Sequence, residues 1–511
     1  MICQIKMIEP ILSKMNYPKH SINVIQKNTS FCFFKKIIRV SLICIGLSFS
    51  FQEVSGQVVF SLQQTINLAV DSSIQALNAR NEYLRGEWQY HSFKVYHLPT
   101  VTLQTNPIAY NRVFVRRYDS ENNIDIYREQ QSLYSYGNLS IQQNFGLTGG
   151  RFFVDTEVGF LRNFGSDNPY TQFSSVPFRV GYSQSLFGFN PYKWDKQIEP
   201  LKYDKVRKKI LYDIALTTEK AAEVFFELAA SQASQHLAAQ QLANADTLYK
   251  IGLERYNLGL LPKSDLLALK LQALNTKSIL ETAILNRKRS YFNYCHFLRI
   301  EPQSEEFEVS LPTVIEDIDF DIETAVQSAL KNNPSIPEVR ERVLSAEREL
   351  EQAKRANRFS ANVSASLGFN QVANTFSGAY TRPLQQNMAS VSLTIPILDW
   401  GVGKGKIAVA DENLHIIKLE SQQTEEKLMQ EVINSVSELN LFRSHFITAV
   451  EAKEIADEAY TTARELFIVG KTDLSSLNLA VAGQIEAENG YVQALRNYWN
   501  SYYKVKRLTL I

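Results

Sequence analysis

Between Ala389 and about Leu479 the spacing of hydrophobic positions changes from two to three and four. Val391, Leu393, Ile395 and Ile397 alternate with Ser392, Thr394 and Pro396, which predicts a two-faced strand. A turn follows over Asp399-Trp400-Gly401-Val402-Gly403. From about Lys404 to Val469 the chain then runs without proline. A straight helix of that length would span about 100 Å. Within it Leu428, Val432, Val436, Leu439, Phe442, Phe446 and Val450 recur at spacings of four and three, so they fall on one stripe. That stripe predicts a coiled-coil seam. Gly470 ends the helix, and Leu474 to Lys506 reads as a second helix returning beside it.

The earlier chain has the same grammar. Leu62 to about Tyr96 predicts one helix, closed by Pro99. Val101 and Leu103 open a strand, and a polar stretch from Arg116 to Gln131 reads as a loop. Two further runs, Tyr134 to Phe145 and Phe152 to Val158, flank Gly149-Gly150 and predict a hairpin. A last strand covers Val176 to Phe187, with Phe178, Val180, Tyr182 and Leu186 on one face. A second very long helix is expected from about Tyr203 to Tyr256, a break at Gly259-Leu260-Leu261-Pro262, and a return to about Leu298.

These runs align with each other. Ala69-Val70-Asp71-Ser72 corresponds to Ala329-Leu330-Lys331-Asn332, and Val101-Thr102-Leu103 to Ala361-Asn362-Val363, both at an offset of 260. Tyr256-Asn257-Leu258-Gly259 corresponds to Phe467-Ile468-Val469-Gly470 at an offset of 211. The difference of 49 residues is the material around the Gly149-Gly150 hairpin. The chain therefore reads as a duplicated unit: a leader over 1–56, a first repeat over 57–310 (strands about 100–187, helical hairpin 203–298) and a second over 311–511 (strands about 360–398, helical hairpin 404–508).

Charge and cysteine placement add a compartment. The net charge is +1, but residues 1–56 alone carry +5, so the remainder is about −4. No basic stripe suited to nucleic acid remains. Lys35, Lys36 and Arg39 precede the apolar run Val40 to Leu47, the order of a signal peptide, with Val54-Ser55-Gly56 as a cleavage site and Gln57 as the mature start. Cys3, Cys32 and Cys44 lie in that leader. Only Cys295 follows, so the mature chain can form no internal disulfide. No later stretch is apolar and long enough for a transmembrane helix. Entry into a membrane would have to be by strands.

Strands of about ten residues with an aliphatic or aromatic face opposite a Ser/Thr/Asn/Gly face suit a barrel with lipid outside and water inside. A soluble sandwich also alternates, but it would not need export or helices of this length. The few strands of one chain cannot close a useful channel, so the wall must be shared among copies. The long helices would then project together as a hollow tube. The expected class is an α+β membrane protein: a duplicated unit of strands and long helical hairpins, with an outer-membrane β-barrel continued by an α-helical coiled-coil barrel. Two rivals are a constitutively open porin and a surface coiled-coil protein without a lumen. Porins use short periplasmic turns, unlike these long hairpins.

Three segments resemble the TolC family of outer-membrane efflux proteins, of the kind found in Bacteroidetes. They are Tyr182-Ser183-Gln184-Ser185-Leu186-Phe187-Gly188, Pro396-Ile397-Leu398-Asp399-Trp400-Gly401, and the run from Tyr256-Asn257-Leu258-Gly259-Leu260-Leu261-Pro262 to Lys263-Ser264-Asp265-Leu266-Leu267. The resemblance spans essentially the whole mature chain. It implies a homotrimer with a 12-stranded barrel, four strands per chain, in outer-membrane lipid. It also implies a periplasmic tunnel that docks a periplasmic adaptor (membrane fusion) protein and an inner-membrane pump of the RND, ABC or MFS class. The function implied is that of an exit duct in tripartite efflux or type I secretion.

In the family the adaptor engages the glycine turns. That carries over to Tyr256, Gly259, Leu260, Leu261, Ser264, Asp265 and Leu266, and to Phe467, Gly470, Lys471, Thr472, Leu474 and Ser475. The same residues also have a plain role, since glycine ends a helix and Ser264 or Asp265 can cap the next. Family members often close the tunnel with carboxylates just after the second turn. Here those positions hold Ser476 and Leu479, which leaves Asp265 and Asp473 as gate candidates. Gly401-Val402-Gly403-Lys404-Gly405-Lys406 lacks the spacing and the Ser/Thr of a phosphate loop, because Ile407 follows the lysine. The seven histidines are dispersed, and Cys295-His296 sits in an aromatic stretch that reads as packing. Neither a cofactor nor a metal is expected, and no nucleophile and base are grouped as an enzyme would need.

Overall fold

The computed structural model describes residues 59–164, 169–302, 307–312, 315 and 320–511. The leader expected over 1–56, with Cys3, Cys32 and Cys44, lies outside the described residues. The elements run β1 (Val59–Ser61), α1 (Leu62–Ser72), α2 (Ile74–Val95), β2 (Thr100–Asp119), β3 (Ile124–Asn144), β4 (Arg151–Asn163), β5 (Tyr170–Leu186), α3 (Pro191–Asn257) and α4 (Lys263–Leu298). After them come β6 (Glu308–Ser310), α5 (Ile322–Asn332), α6 (Ser335–Ala356), β7 (Ser360–Ala373), β8 (Leu384–Thr394), α7 (Val402–Ile468) and α8 (Leu474–Thr509).

Six strands form one antiparallel sheet in the order β2-β3-β4-β5-β7-β8. The resemblance implied four per chain. The two additional strands are β3 and β4, a hairpin set between β2 and β5, closed by Phe145 N–H donating to the Gly150 carbonyl at 2.8 Å. Register separates two faces, most sharply in the rows nearest the helices. Val101, Ile141, Val154, Val180 and Leu367 lie side by side across five strands. One residue along each strand, Thr102, Ser140, Asp155, Arg179 and Gly368 line up on the other face. There Arg179 holds Asp155 through two hydrogen bonds, Nε to Oδ1 at 2.9 Å and Nη2 to Oδ2 at 2.7 Å. Asn138 donates to Glu157, and the hydroxyls of Ser364 and Ser390 meet at 2.7 Å. An apolar face without a partner layer, opposite a hydrogen-bonded polar face, is the pattern of a wall between lipid and water.

The polar stretch Arg116–Gln131 is not a loop. It forms most of the outer end of the β2–β3 hairpin, whose turn is confined to 120–123. Paired charges hold it: Arg112 with Glu129 and Arg116 with Asp125. Since β4 reaches only Ser132 of β3, this ribbon extends past the rest of the sheet. Both its faces carry charged residues, so its sequence lacks the alternation that marks a strand.

Three more boundaries differ from expectation. The expected helix over Leu62 to Tyr96 breaks at Ser73, whose hydroxyl caps α2 by accepting from Ala76 N–H at 3.2 Å. Its counterpart Asn333 breaks the helices of the second half, accepting from Ser335 N–H at 3.0 Å. Both are buried, so the break serves a packed corner. Next, α3 starts at Pro191 rather than about Tyr203 and carries Pro200 inside it. Its N-terminal turns are held against α6 by Trp194 Nε1 donating to Glu351 at 3.0 Å and by the Arg348–Asp195 pair. Third, β8 starts at Leu384 and stops at Thr394, so Ile395 and Ile397 continue the alternation but not the strand.

The seam read from sequence is the core. Leu428, Val432, Val436, Leu439 and Phe446 are buried, with Phe442 and Val450 packed against them. They meet Phe225 and Phe226 of α3, Tyr291 and Tyr294 of α4, and Tyr498, Trp499 and Tyr502 of α8. The short strands β1 and β6, paired in parallel, and helices α1 and α5 complete this belt about the helical hairpins. Arg507 of α8 ties it together: its guanidinium bonds Glu219 and the Tyr212 hydroxyl of α3, and lies 3.9 Å from Glu431 of α7. Cys295 is buried in the same core, as packing predicts.

Candidate functional site at the helical tips

The ends of the four longest helices form a second, separate hydrophobic cluster of Leu248, Leu269, Tyr460, Phe467 and Leu477. Each hairpin closes on one backbone device used twice. After α3, Gly259 takes φ +72°, its N–H donates to the Tyr256 carbonyl at 2.9 Å, and Leu260 N–H reaches back to the Arg255 carbonyl at 2.8 Å. After α7, Gly470 takes φ +76°, with Gly470 N–H to the Phe467 carbonyl at 3.0 Å and Lys471 N–H to the Leu466 carbonyl at 2.8 Å. These bonds occupy carbonyls that a helix end leaves free, and the left-handed residue is most stable as glycine.

The returning helices start differently. Pro262 precedes α4 without a side-chain cap, and Ser264 donates its hydroxyl to Asp265 at 3.1 Å. Asp473 caps α8, its Oδ1 accepting from Ser476 N–H at 2.9 Å. Hydrogen bonds from Ser476, side chain first and then backbone N–H, hold the Asp473 carboxyl below the usual carboxylate range. A depressed pKa contributes stability that is fully present above the unfolded value of about 4 and lost as pH falls through the folded one. Acidification below about pH 4 is therefore expected to lower the amide protection factors in the first turn of α8, relative to the intrinsic exchange rate at each pH. Asp473→Asn should remove that pH dependence, which exchange mass spectrometry reads directly.

Of the thirteen docking candidates, Tyr256, Gly259, Leu260, Ser264, Gly470, Lys471 and Ser475 are exposed. Leu261, Asp265, Leu266, Thr472 and Leu474 are half-buried, and Phe467 is buried. Leu258, Val469 and Leu479, which sequence reading did not assign to docking, are also prominent, at 72%, 65% and 75% exposure. Along α7 next to the second turn, Ile455, Ala459, Ala463, Leu466 and Thr472 line an open groove of about 390 Å³. Asp265 and Asp473 each serve the start of their own helix, one in its first turn and one as its cap.

A residue absent from the sequence reading connects the two tips. Arg255, one turn before the first turn's glycine, donates from Nη1 to the Phe467 carbonyl at 3.1 Å and lies 5.6 Å from the centre of the Phe467 ring. A Cβ at Gly470 would come within 3.2 Å of its Nη2, whereas one at Gly259 would meet nothing within 4 Å. The signal was faint: a basic residue in a helix's last turn normally reads as a partner for the helix dipole. Alanine at either glycine carries a left-handed backbone cost of about 1 kcal/mol. Only Gly470→Ala also displaces Arg255. It should therefore loosen the tips measurably more than Gly259→Ala in limited proteolysis.

The fold is that of solved outer-membrane channels. The CmeC channel of Campylobacter jejuni matches with a TM-score of 0.64 at 13% identity, covering 96% of this chain and 93% of that one. A membrane protein of Pseudomonas aeruginosa gives 0.63 at 12% identity, over 89% of this chain and 91% of its own. The MtrE outer membrane channel of Neisseria gonorrhoeae, solved in its open state, gives 0.59 at 14% identity over 88% of each. No curated protein matches the chain by sequence. Residues 325–509, from α5 through α8, match the family of outer membrane efflux proteins. The sequence match to that family is thus confined to this segment, and the likeness in fold to outer-membrane channels extends over nearly the whole chain.

Proposed function

We propose that this protein is the outer-membrane exit duct of a tripartite efflux or type I secretion system: a passive conduit, homotrimeric, opened from its helical tips by a periplasmic adaptor and an inner-membrane pump. One observation carries the reading. The sheet with an apolar face leads at one end directly into helices of 67 residues whose tips lie at the far end. At 1.5 Å per residue these reach about 100 Å, far beyond a bilayer. A porin has no use for such a projection, and a surface coiled coil has no use for a wall with lipid on one face. The exposed Leu258, Leu260 and Val469 at the tips support contact with a partner, since apolar side chains gathered at a loop end mark binding surfaces. The pump class (RND, ABC or MFS) and the exported compound belong to the partner.

The reading fixes an orientation, tested by labelling cysteine variants in intact cells with a membrane-impermeant maleimide. Asn122→Cys, in the turn of the β2–β3 ribbon, is expected to react from outside. Leu260→Cys, at the tip, is expected to react only once the outer membrane is permeabilised. Labelling of Leu260→Cys in intact cells would overturn the reading.

A further inference from the structure

The sheet carries a departure from the implied four strands per chain that changes the width of the wall. We propose that β8 of one copy pairs antiparallel with β2 of the next, so that three copies close an 18-stranded barrel in which the β3–β4 hairpin is part of the wall. The proposal rests on the trimeric exit-duct reading and adds to it the seam and the bore.

Three observations carry it. First, β2 and β8 are the two edges of the sheet, and each presents a row of backbone N–H and C=O groups. In lipid every such group must be paired, and an unpaired one costs several kcal/mol, so an open sheet must close. Six strands are too few to close alone around a lumen. Second, the edges match. All five seams are antiparallel, so β8 runs opposite to β2, and β8 against a neighbour's β2 continues the same pattern. Leu393 and Val391 on β8, and Val101 and Leu103 on β2, lie on the common apolar face and are all more than 60% exposed. At the end nearest the helices the opposite face of both edges is polar, with Ser390 and Ser392 on β8 and Thr100, Thr102 and Gln104 on β2, whereas Met388 and Leu384 further along β8 fall on that same face. Joining the edges over 389–394 of β8 and 100–104 of β2 therefore extends both faces, whereas a one-residue slip there would turn apolar side chains to water.

Third, the hairpin is bonded into the sheet on both sides. β3 pairs with β2 over nearly the whole of β2, and β4 pairs with β5 from Arg151↔Ser183 to Asn163↔Tyr170. The polar row Ser140, Asp155 and Arg179 runs through it unbroken. A hairpin folded into the lumen or out over the rim would break both seams.

The bore follows from strand spacing. At about 4.8 Å between strands and a tilt of about 40°, each strand takes roughly 6.3 Å of perimeter. Eighteen strands give a backbone diameter of about 36 Å, against about 24 Å for twelve. Six strands then span about 38 Å per copy, close to the roughly 35–40 Å that four helices packed side by side occupy. The wall and the helical tube beneath it are matched in girth.

Electron cryomicroscopy of the full trimer in lipid nanodiscs is the test. Eighteen strands with three β8–β2 seams are expected. A trimer whose wall has twelve strands, with β3 and β4 outside it, would overturn the proposal and leave the exit-duct reading intact. A particle that is not a trimer would overturn both. The seam has an independent check in a Cys295→Ser background, pairing Ser390→Cys or Ser392→Cys on β8 with Thr100→Cys, Thr102→Cys or Gln104→Cys on β2. Oxidation or a short bismaleimide should yield covalent dimers and trimers for at least one pair and none for any single variant. Failure of every pair in a folded trimer would overturn the seam.

Discussion

Replacing Arg507 with alanine is expected to destabilise the belt by roughly 3 kcal/mol, the lower end of the range for breaking a buried ion pair. Its side chain is 11% exposed and that of Glu219 22%, so the substitution leaves a carboxylate partly buried without its cation. It also strips the Tyr212 hydroxyl of a charged donor and removes one polar link from α8 to α3 and α7. Arg507→Lys should recover only part of the loss, since one ammonium cannot serve Glu219 and Tyr212 from a fixed fork. The double variant Arg507→Met with Glu219→Met should recover most of it, because removing both charges leaves none stranded. Denaturant unfolding followed by circular dichroism ranks the three. If Arg507→Ala unfolds with wild-type stability, the belt is held by its aromatic core alone.

Arg255→Ala should act on the channel rather than on the fold. The bond to the Phe467 carbonyl joins the first helical hairpin to the second across the tips and is charge-assisted, worth about 1.5 kcal/mol at a half-exposed site. Losing it shifts a closed-to-open equilibrium by about tenfold, since 1.4 kcal/mol is a factor of ten. The core cluster of Leu248, Leu269 and Leu477 remains, so the tips loosen without unfolding. In planar bilayers the variant should show about tenfold higher mean conductance at low voltage. Arg255→Lys should fall between, keeping the charge but not the fork. A wild-type conductance trace for Arg255→Ala would show that the link does not hold the tips shut.

Much of this was legible in the sequence for a physical reason. The seam of Leu428, Val432, Val436, Leu439 and Phe446 is periodic, and burial of one helical stripe writes that period into the chain. Gly259 and Gly470 were legible because the left-handed cap favours one residue type. The ribbon over 116–131 was not, since a strand with water on both faces has no reason to alternate. The first turns of α3, before Tyr203, were not legible either: Pro200 lies among them, and the bonds of Trp194 and Asp195 to α6 hold the turns that precede it. The Arg255–Phe467 link spans 212 residues and the Arg507–Glu219 pair 288, and no local pattern records either. The six-strand sheet lies between these cases. The inserted hairpin was visible as 49 extra residues, but its place inside the sheet depends on pairing with β2 and β5.

The central claim is that the tips gate a duct. Mean single-channel conductance of the purified protein in planar bilayers, with the oligomeric mass measured on the same sample, tests it most directly. A small, mostly closed conductance that rises in Arg255→Ala and in Gly470→Ala, with Gly259→Ala rising less, is the predicted result. A large conductance that is permanently open in the wild type and indifferent to all three substitutions would contradict it.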